Sequence, residues 1–94
     1  MTPLQAQSRP TLARGVRLTI DPLTGGPVLL FPEGVLPLDE VTHDILSRCS
    51  GQASLEEIVI SLAGEYEAEK EVLHHDVCEC LEQLREEMLI TVST

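Results

Sequence analysis

The sequence predicts a single α+β domain in which a three-stranded antiparallel sheet comes first and three helices follow. Three observations predict it. Between residues 16 and 38, short β-branched or alternating apolar stretches are separated by turn residues. At Asp39 the apolar spacing changes to that of a helix. Helix-start signals stand at Asp39 and Ser54, with a helix stop at Gly51. A three-stranded meander cannot bury its apolar face alone, so the helices must cover one side of it.

Residues 1–15 carry Pro3, Pro10 and Gly15 without periodicity, and read as an extended or mobile arm before a domain spanning 16–94. Residues 16–20 alternate Val16, Leu18 and Ile20 with Arg17 and Thr19, a half-buried strand. Residues 21–27 are dense in turn formers, residues 28–31 form a second strand, and Pro32, Glu33 and Gly34 make a tight turn in which Gly34 can supply a positive φ. Residues 35–38 form the third strand. Asp39 is a good N-cap, with Glu40 at the positive end of the dipole, and Val41, Ile45, Leu46 and Cys49 then share a helix face. Ser54 and Glu57 form a capping box before a helix carrying Leu55, Ile58, Val59, Leu62 and Tyr66 on one side. A last helix over 70–88 places Leu73, Val77, Cys80, Leu81, Leu84 and Met88 on its apolar stripe, and residues 89–92 add a short terminal strand. In its parts this order is winged-helix-like.

Charge narrows the function. Residues 51–94 hold eleven acids against Lys70 and Arg85, and the whole chain carries −10. Phosphate binding needs clustered cations and base stacking needs aromatic faces, yet Phe31 and Tyr66 are the only aromatics. Nucleic acid is not an expected partner. An acidic face is either a solvated surface or a dock for a basic partner. No apolar run reaches a membrane span and no export signal opens the chain, so a cytoplasmic location is expected, with Cys49, Cys78 and Cys80 reduced.

The stretch from His74 to Cys80 holds the residue types of a metal site. On a helix, His74 and Cys78 lie one turn apart, but Cys78 and Cys80 diverge by about 200° and no second ligand pair exists. No metal and no other cofactor is expected. Nucleophile elbows, Cys–His signatures and Gly-rich phosphate loops are all missing, so the chain does not read as an enzyme. An acyl-carrier-like adaptor is the alternative for a small acidic protein; such carriers present a serine for a phosphopantetheine arm, whereas Ser54 already has a capping role.

What remains is the third strand. Pro37 interrupts it, which suits a sheet edge. That proline either blunts the edge against aggregation or marks an edge that accepts a strand from another chain. An unfilled edge also allows a two-fold dimer of the free protein.

Leu30, Phe31, Pro32, Glu33 and Gly34, followed in order by Leu38, Ile45, Leu46, Cys49, Gly51, Ile58, Leu62, Tyr66, Asp76, Val77, Leu81, Leu84 and Leu89, resemble the pyrroloquinoline quinone biosynthesis protein D (PqqD) family, the stand-alone RiPP recognition element. The resemblance runs from Arg9 to about Val92. It implies a non-catalytic peptide chaperone that binds the precursor peptide PqqA and presents it to the radical S-adenosylmethionine enzyme PqqE. It further implies that the peptide adds as a strand beside Val35, Leu36, Pro37 and Leu38, against a helix wall drawn from His75, Asp76, Glu79, Cys80 and Gln83. Ser50 departs from the family, which has Asp there, and Asp39 replaces a common Asn while preserving the cap.

Overall fold

The computed structural model describes residues 3–93, and it is an α+β fold of five strands and three helices among them. The strands are β1 (Arg9–Leu12), β2 (Arg17–Ile20), β3 (Pro27–Phe31), β4 (Gly34–Pro37) and β5 (Ile90–Ser93); the helices are α1 (Glu40–Ser47), α2 (Leu55–Tyr66) and α3 (Lys70–Glu86). β2, β3 and β4 form an antiparallel meander with Leu18, Leu29 and Leu36 in line across it, but it does not come first as expected, since β1 precedes it and joins β5 in a separate two-stranded sheet. Leu29 is fully buried, so this row faces the helices, where it meets Ile45, Ile58, Leu62, Val77 and Leu81 in one core.

The arm is where sequence and structure part. Within it, β1 pairs antiparallel with β5, Arg9 opposite Ser93 and Leu12 opposite Ile90, and Pro10 is fully buried. The residues before β1 also hold α2. The first amides of a helix lack intrahelical partners. Here Leu55 N–H donates to the Ser8 carbonyl at 2.7 Å and Glu56 N–H to the Ala6 carbonyl at 3.0 Å. Ser54 Oγ accepts from Glu57 N–H at 3.2 Å, completing the capping box. Ser8 is buried, and Leu4 packs against the core. On the far side of β1, Gly51 N–H reaches the Pro10 carbonyl at 3.0 Å, with φ +85° and Thr11 Cβ only 3.4 Å from where a β-carbon would stand. A side chain there would strain the backbone and push on β1.

Other expectations are corrected in detail. Gly34 does not take a positive φ; Pro32 and Glu33 close the hairpin alone, with Phe31 opposite Gly34. α3 ends at Glu86, and Met88 leaves the stripe for a left-handed backbone with φ +63°, 79% exposed. Val41 and Tyr66 are partly exposed rather than in the core. Tyr66 instead donates its hydroxyl to Asp44, which holds its pKa up at about 12, while Arg48 pairs with Glu65 and bonds Ser61 Oγ at 3.1 Å. These contacts clamp α1 to α2. Among the described residues no helix is long and apolar enough to cross a membrane.

Deleting residues 1–8 removes two carbonyl caps and the Leu4 contact, and should lower stability by about 2 kcal/mol. Denaturant unfolding measures the loss. Faster hydrogen exchange at Leu55 and Glu56 identifies its source; unchanged exchange there would refute the capping role.

Candidate functional site: a strand edge over an apolar cleft

β4 is an outer strand of its sheet, and its hydrogen-bond parity is set at its end. Leu38 N–H donates to the Pro27 carbonyl at 3.0 Å, so Leu38, Leu36 and Gly34 turn their main-chain groups toward β3. Val35 and Pro37, between them, turn theirs outward. The missing N–H of Pro37 therefore costs the sheet no bond. The free edge presents the N–H and C=O of Val35 and the C=O of Pro37. The Val35 side chain, 54% exposed, points to the face away from the helices, beside Leu30.

On the other face, β4 and α3 enclose a cleft of about 210 Å³. Leu36, Pro37 and Leu38 supply one wall, and Cys80, Gln83, Leu84 and Glu87 the other, with Asp39 and Thr42 closing the end at α1. The helix wall follows from α3's periodicity. Leu73, Val77, Leu81 and Leu84 are buried, and Cys80, Gln83 and Glu87 form the adjoining stripe at spacings of three and four residues. Among the described residues no lysine or arginine lines the cleft, and its charged lining residues are Asp39 and Glu87.

Of the residues expected at a peptide site, the cleft gathers Leu36, Pro37, Leu38, Cys80 and Gln83. Val35 stands at the edge itself. Asp76 lies one turn before Cys80 on the same stripe, outside the lining. His75 and Glu79 pair with each other at 3.3 Å across an exposed turn. Asp39, Thr42, Leu84 and Glu87 were not anticipated; the continuation of the Cys80–Gln83 spacing by four residues is the signal that points to Glu87.

Burial raises the Cys80 thiol above its usual pKa, with Asp39 adding to the rise and a hydrogen bond from Thr42 opposing it. Burial likewise raises Cys78 and takes Cys49 to about 12. All three stay thiols near neutral pH and are poor nucleophiles. His74 Nε2 lies 3.7 Å from Cys78 Sγ, but no group of three or more metal-binding side chains assembles among the described residues. Ser54 is held in its capping box, with its N–H on Glu57 Oε1 at 2.8 Å, and the two sheets set the fold apart from an all-helical carrier.

Comparison with known proteins finds relatives in sequence and in fold. The family model described as coenzyme PQQ synthesis protein D (PqqD) matches residues 26–90. A PqqA binding protein of Xanthomonas axonopodis pv. citri is 36% identical over 90 residues, covering 96% of this chain and 98% of that one. A PqqA binding protein of Bradyrhizobium diazoefficiens is 34% identical over 84 residues, covering 89% and 82%. The solution structure of the PqqD truncation of Methylobacterium extorquens PqqCD, described as a functional, stand-alone RiPP recognition element, superposes with a TM-score of 0.80 at 27% identity, over 94% of each chain. The crystal structure of PqqD from Xanthomonas campestris gives 0.57 at 35% identity, over 84% and 88%.

Asp39 links the cleft to stability. Its carboxylate accepts from Thr42 N–H at 2.7 Å, and that backbone bond holds its pKa below the ordinary aspartate value. A depressed folded-state pKa stabilises the protein above the unfolded pKa, and this contribution is lost as pH falls through the folded one. Asp39→Ala should therefore cost about 1 kcal/mol at neutral pH, as loss of an N-cap does. The gap to the parent should shrink at pH well below the ordinary aspartate value of 3.8. Urea unfolding of both proteins at the two pH values checks this; an equal gap at both would assign the effect to something other than the carboxylate.

Proposed function

The chain belongs to the coenzyme PQQ synthesis protein D (PqqD) family, and on that premise we propose that it binds the precursor peptide PqqA by strand addition along β4 and presents it to the radical S-adenosylmethionine enzyme PqqE. One observation carries this reading above the others: among the described residues β4 is an outer strand with Val35 and Pro37 turned outward, and it shares a cleft with α3. An added strand takes its affinity from main-chain bonds and its specificity from pockets for alternate side chains. Along β4 the peptide gains a donor from Val35 and acceptors from Val35 and Pro37. Its cleft-facing side chains bury against Leu36, Leu38 and Leu84, and this burial supplies most of the affinity because each exposed-edge bond is modest. The helix wall extends from Glu87 through Gln83 and Cys80 toward Asp76, with His75 and Glu79 on its outer flank. Protonated thiols and the lack of an activated nucleophile fit a chaperone that leaves bond chemistry to its partner.

An unoccupied edge also pairs with its own kind. We infer that the free protein forms a two-fold dimer through β4 at high concentration, and that the peptide competes with it. Sedimentation that finds monomer alone up to millimolar protein would exclude the dimer.

Val35→Pro tests the main proposal, because it removes an outward donor and leaves the ladder to β3 untouched. PqqA binding should weaken by about 1–2 kcal/mol, roughly 5- to 30-fold, with the amide spectrum of a folded protein retained. Calorimetry with the precursor measures the affinity. A folded variant that binds like the parent would rule out docking along this edge.

A further inference from the structure

A second hollow, of about 380 Å³, adjoins the β4–α3 cleft, and Glu87 lines both. Val16, Phe31, Pro32, Met88 and Leu89 give it apolar walls, and the charged Arg14, Glu33 and Glu87 also line it. It lies at the hairpin end of β4, where a strand docked along that edge would run off the sheet. Two features of this hollow have no explanation within the folded chain itself.

The first is Gly34, which stands in the chain between Glu33 of this hollow and Leu36 of the cleft. Its φ is not positive, and an added β-carbon would sit 3.7 Å from Phe31 Cζ, an ordinary contact. Neither backbone geometry nor crowding requires glycine here, and glycine weakens a strand. Bare backbone in a strand suits a place where another chain passes close by. The second is Met88. A left-handed backbone disfavours a side chain of this size, and its apolar side chain lies in water, 79% exposed. Glycine or asparagine would close the helix at less cost. Methionine adapts its shape to a partner surface, which suits a binding wall.

We propose that the cleft continues over Gly34 and past Glu87 into this hollow, and that the hollow holds a bulky apolar side chain of the precursor peptide, just beyond its strand-forming segment. The inference rests on the strand-addition reading above. The occupant follows from continuity: a peptide on the β4 edge is delivered to this mouth by the direction of the strand, whichever way it runs. The apolar walls select its chemistry, and the thioether of Met88 closes over it.

The test couples two variants to a series of precursor peptides shortened from each end. Met88→Gly relieves the left-handed backbone and Gly34→Ala restores a normal strand residue, so both should keep or raise the melting temperature. Both should nevertheless weaken binding of the full precursor, by about 3- to 10-fold for Met88→Gly. At the shortening step that removes the apolar residue, the parent should lose affinity and Met88→Gly should lose none further. Additive losses at every step would overturn the subsite. Val35→Pro separates the two readings. If it weakens every peptide while the Met88 losses stay additive, only the subsite fails. If it weakens none, strand addition fails and the subsite falls with it.

Discussion

The hydrogen bond from Leu38 N–H to the Pro27 carbonyl decides the character of β4. It fixes which residues face the sheet, and one residue's difference in register would turn every group the other way. With this parity Pro37 loses nothing, Leu36 enters the core row beside Leu29, and Val35 becomes the outward donor. Asp39 follows at once and caps α1, so the chain leaves the sheet for a helix with no slack between. The end of the cleft is therefore built from the same few residues that finish the strand. A short, tightly tethered edge is poorly placed to move, and a pre-shaped edge lowers the ordering cost of binding.

The rest of the fold keeps α3 opposite that edge. β5 follows α3 and pairs with β1, and β1 is in turn bonded to Gly51 and leads back to the amino end of α2. This circuit closes contacts more than eighty residues apart in sequence, Arg9 opposite Ser93 being the extreme. Loop closure over such lengths costs more entropy than a hairpin, although the cost grows slowly. Burial of Pro10, Ile90 and Leu89 offsets it. The segment with the weakest local signals thus helps to set the position of the helix that walls the site.

That division explains what the sequence made legible. The meander, its turn and the starts of α1 and α2 were readable because alternation, Pro32, Asp39 and Ser54 act within a few residues of themselves. β1 was not, since Pro10 and the neighbouring residues carry no strand pattern and are held by partners far along the chain. Met88 fits the apolar spacing of α3 but stands past its end, where the left-handed turn that closes the helix outweighs the pattern. The helix wall shows the same limit. Periodicity identifies the stripe containing Asp76, Cys80 and Gln83, but tertiary packing sets which stretch of it lies over β4, and the lining runs from Cys80 to Glu87. The family resemblance supplied the pairing of strand and helix, and left the placement along the helix to the packing.

An open edge with apolar neighbours invites indiscriminate pairing, and this chain restrains it in three ways. β4 has only four residues, Pro37 withholds a donor at its end, and the whole protein carries a charge of −10. None of these blocks a peptide with the right features. A strand that tolerates one unpaired carbonyl opposite Pro37, and gains enough from side chains in the cleft, still adds. A strand that depends on a full ladder of main-chain bonds finds too few. The restraint against aggregation and the preference for a particular peptide thus come from the same residue, because removing a main-chain bond moves the energy of recognition from backbone groups common to all chains to side chains that distinguish them.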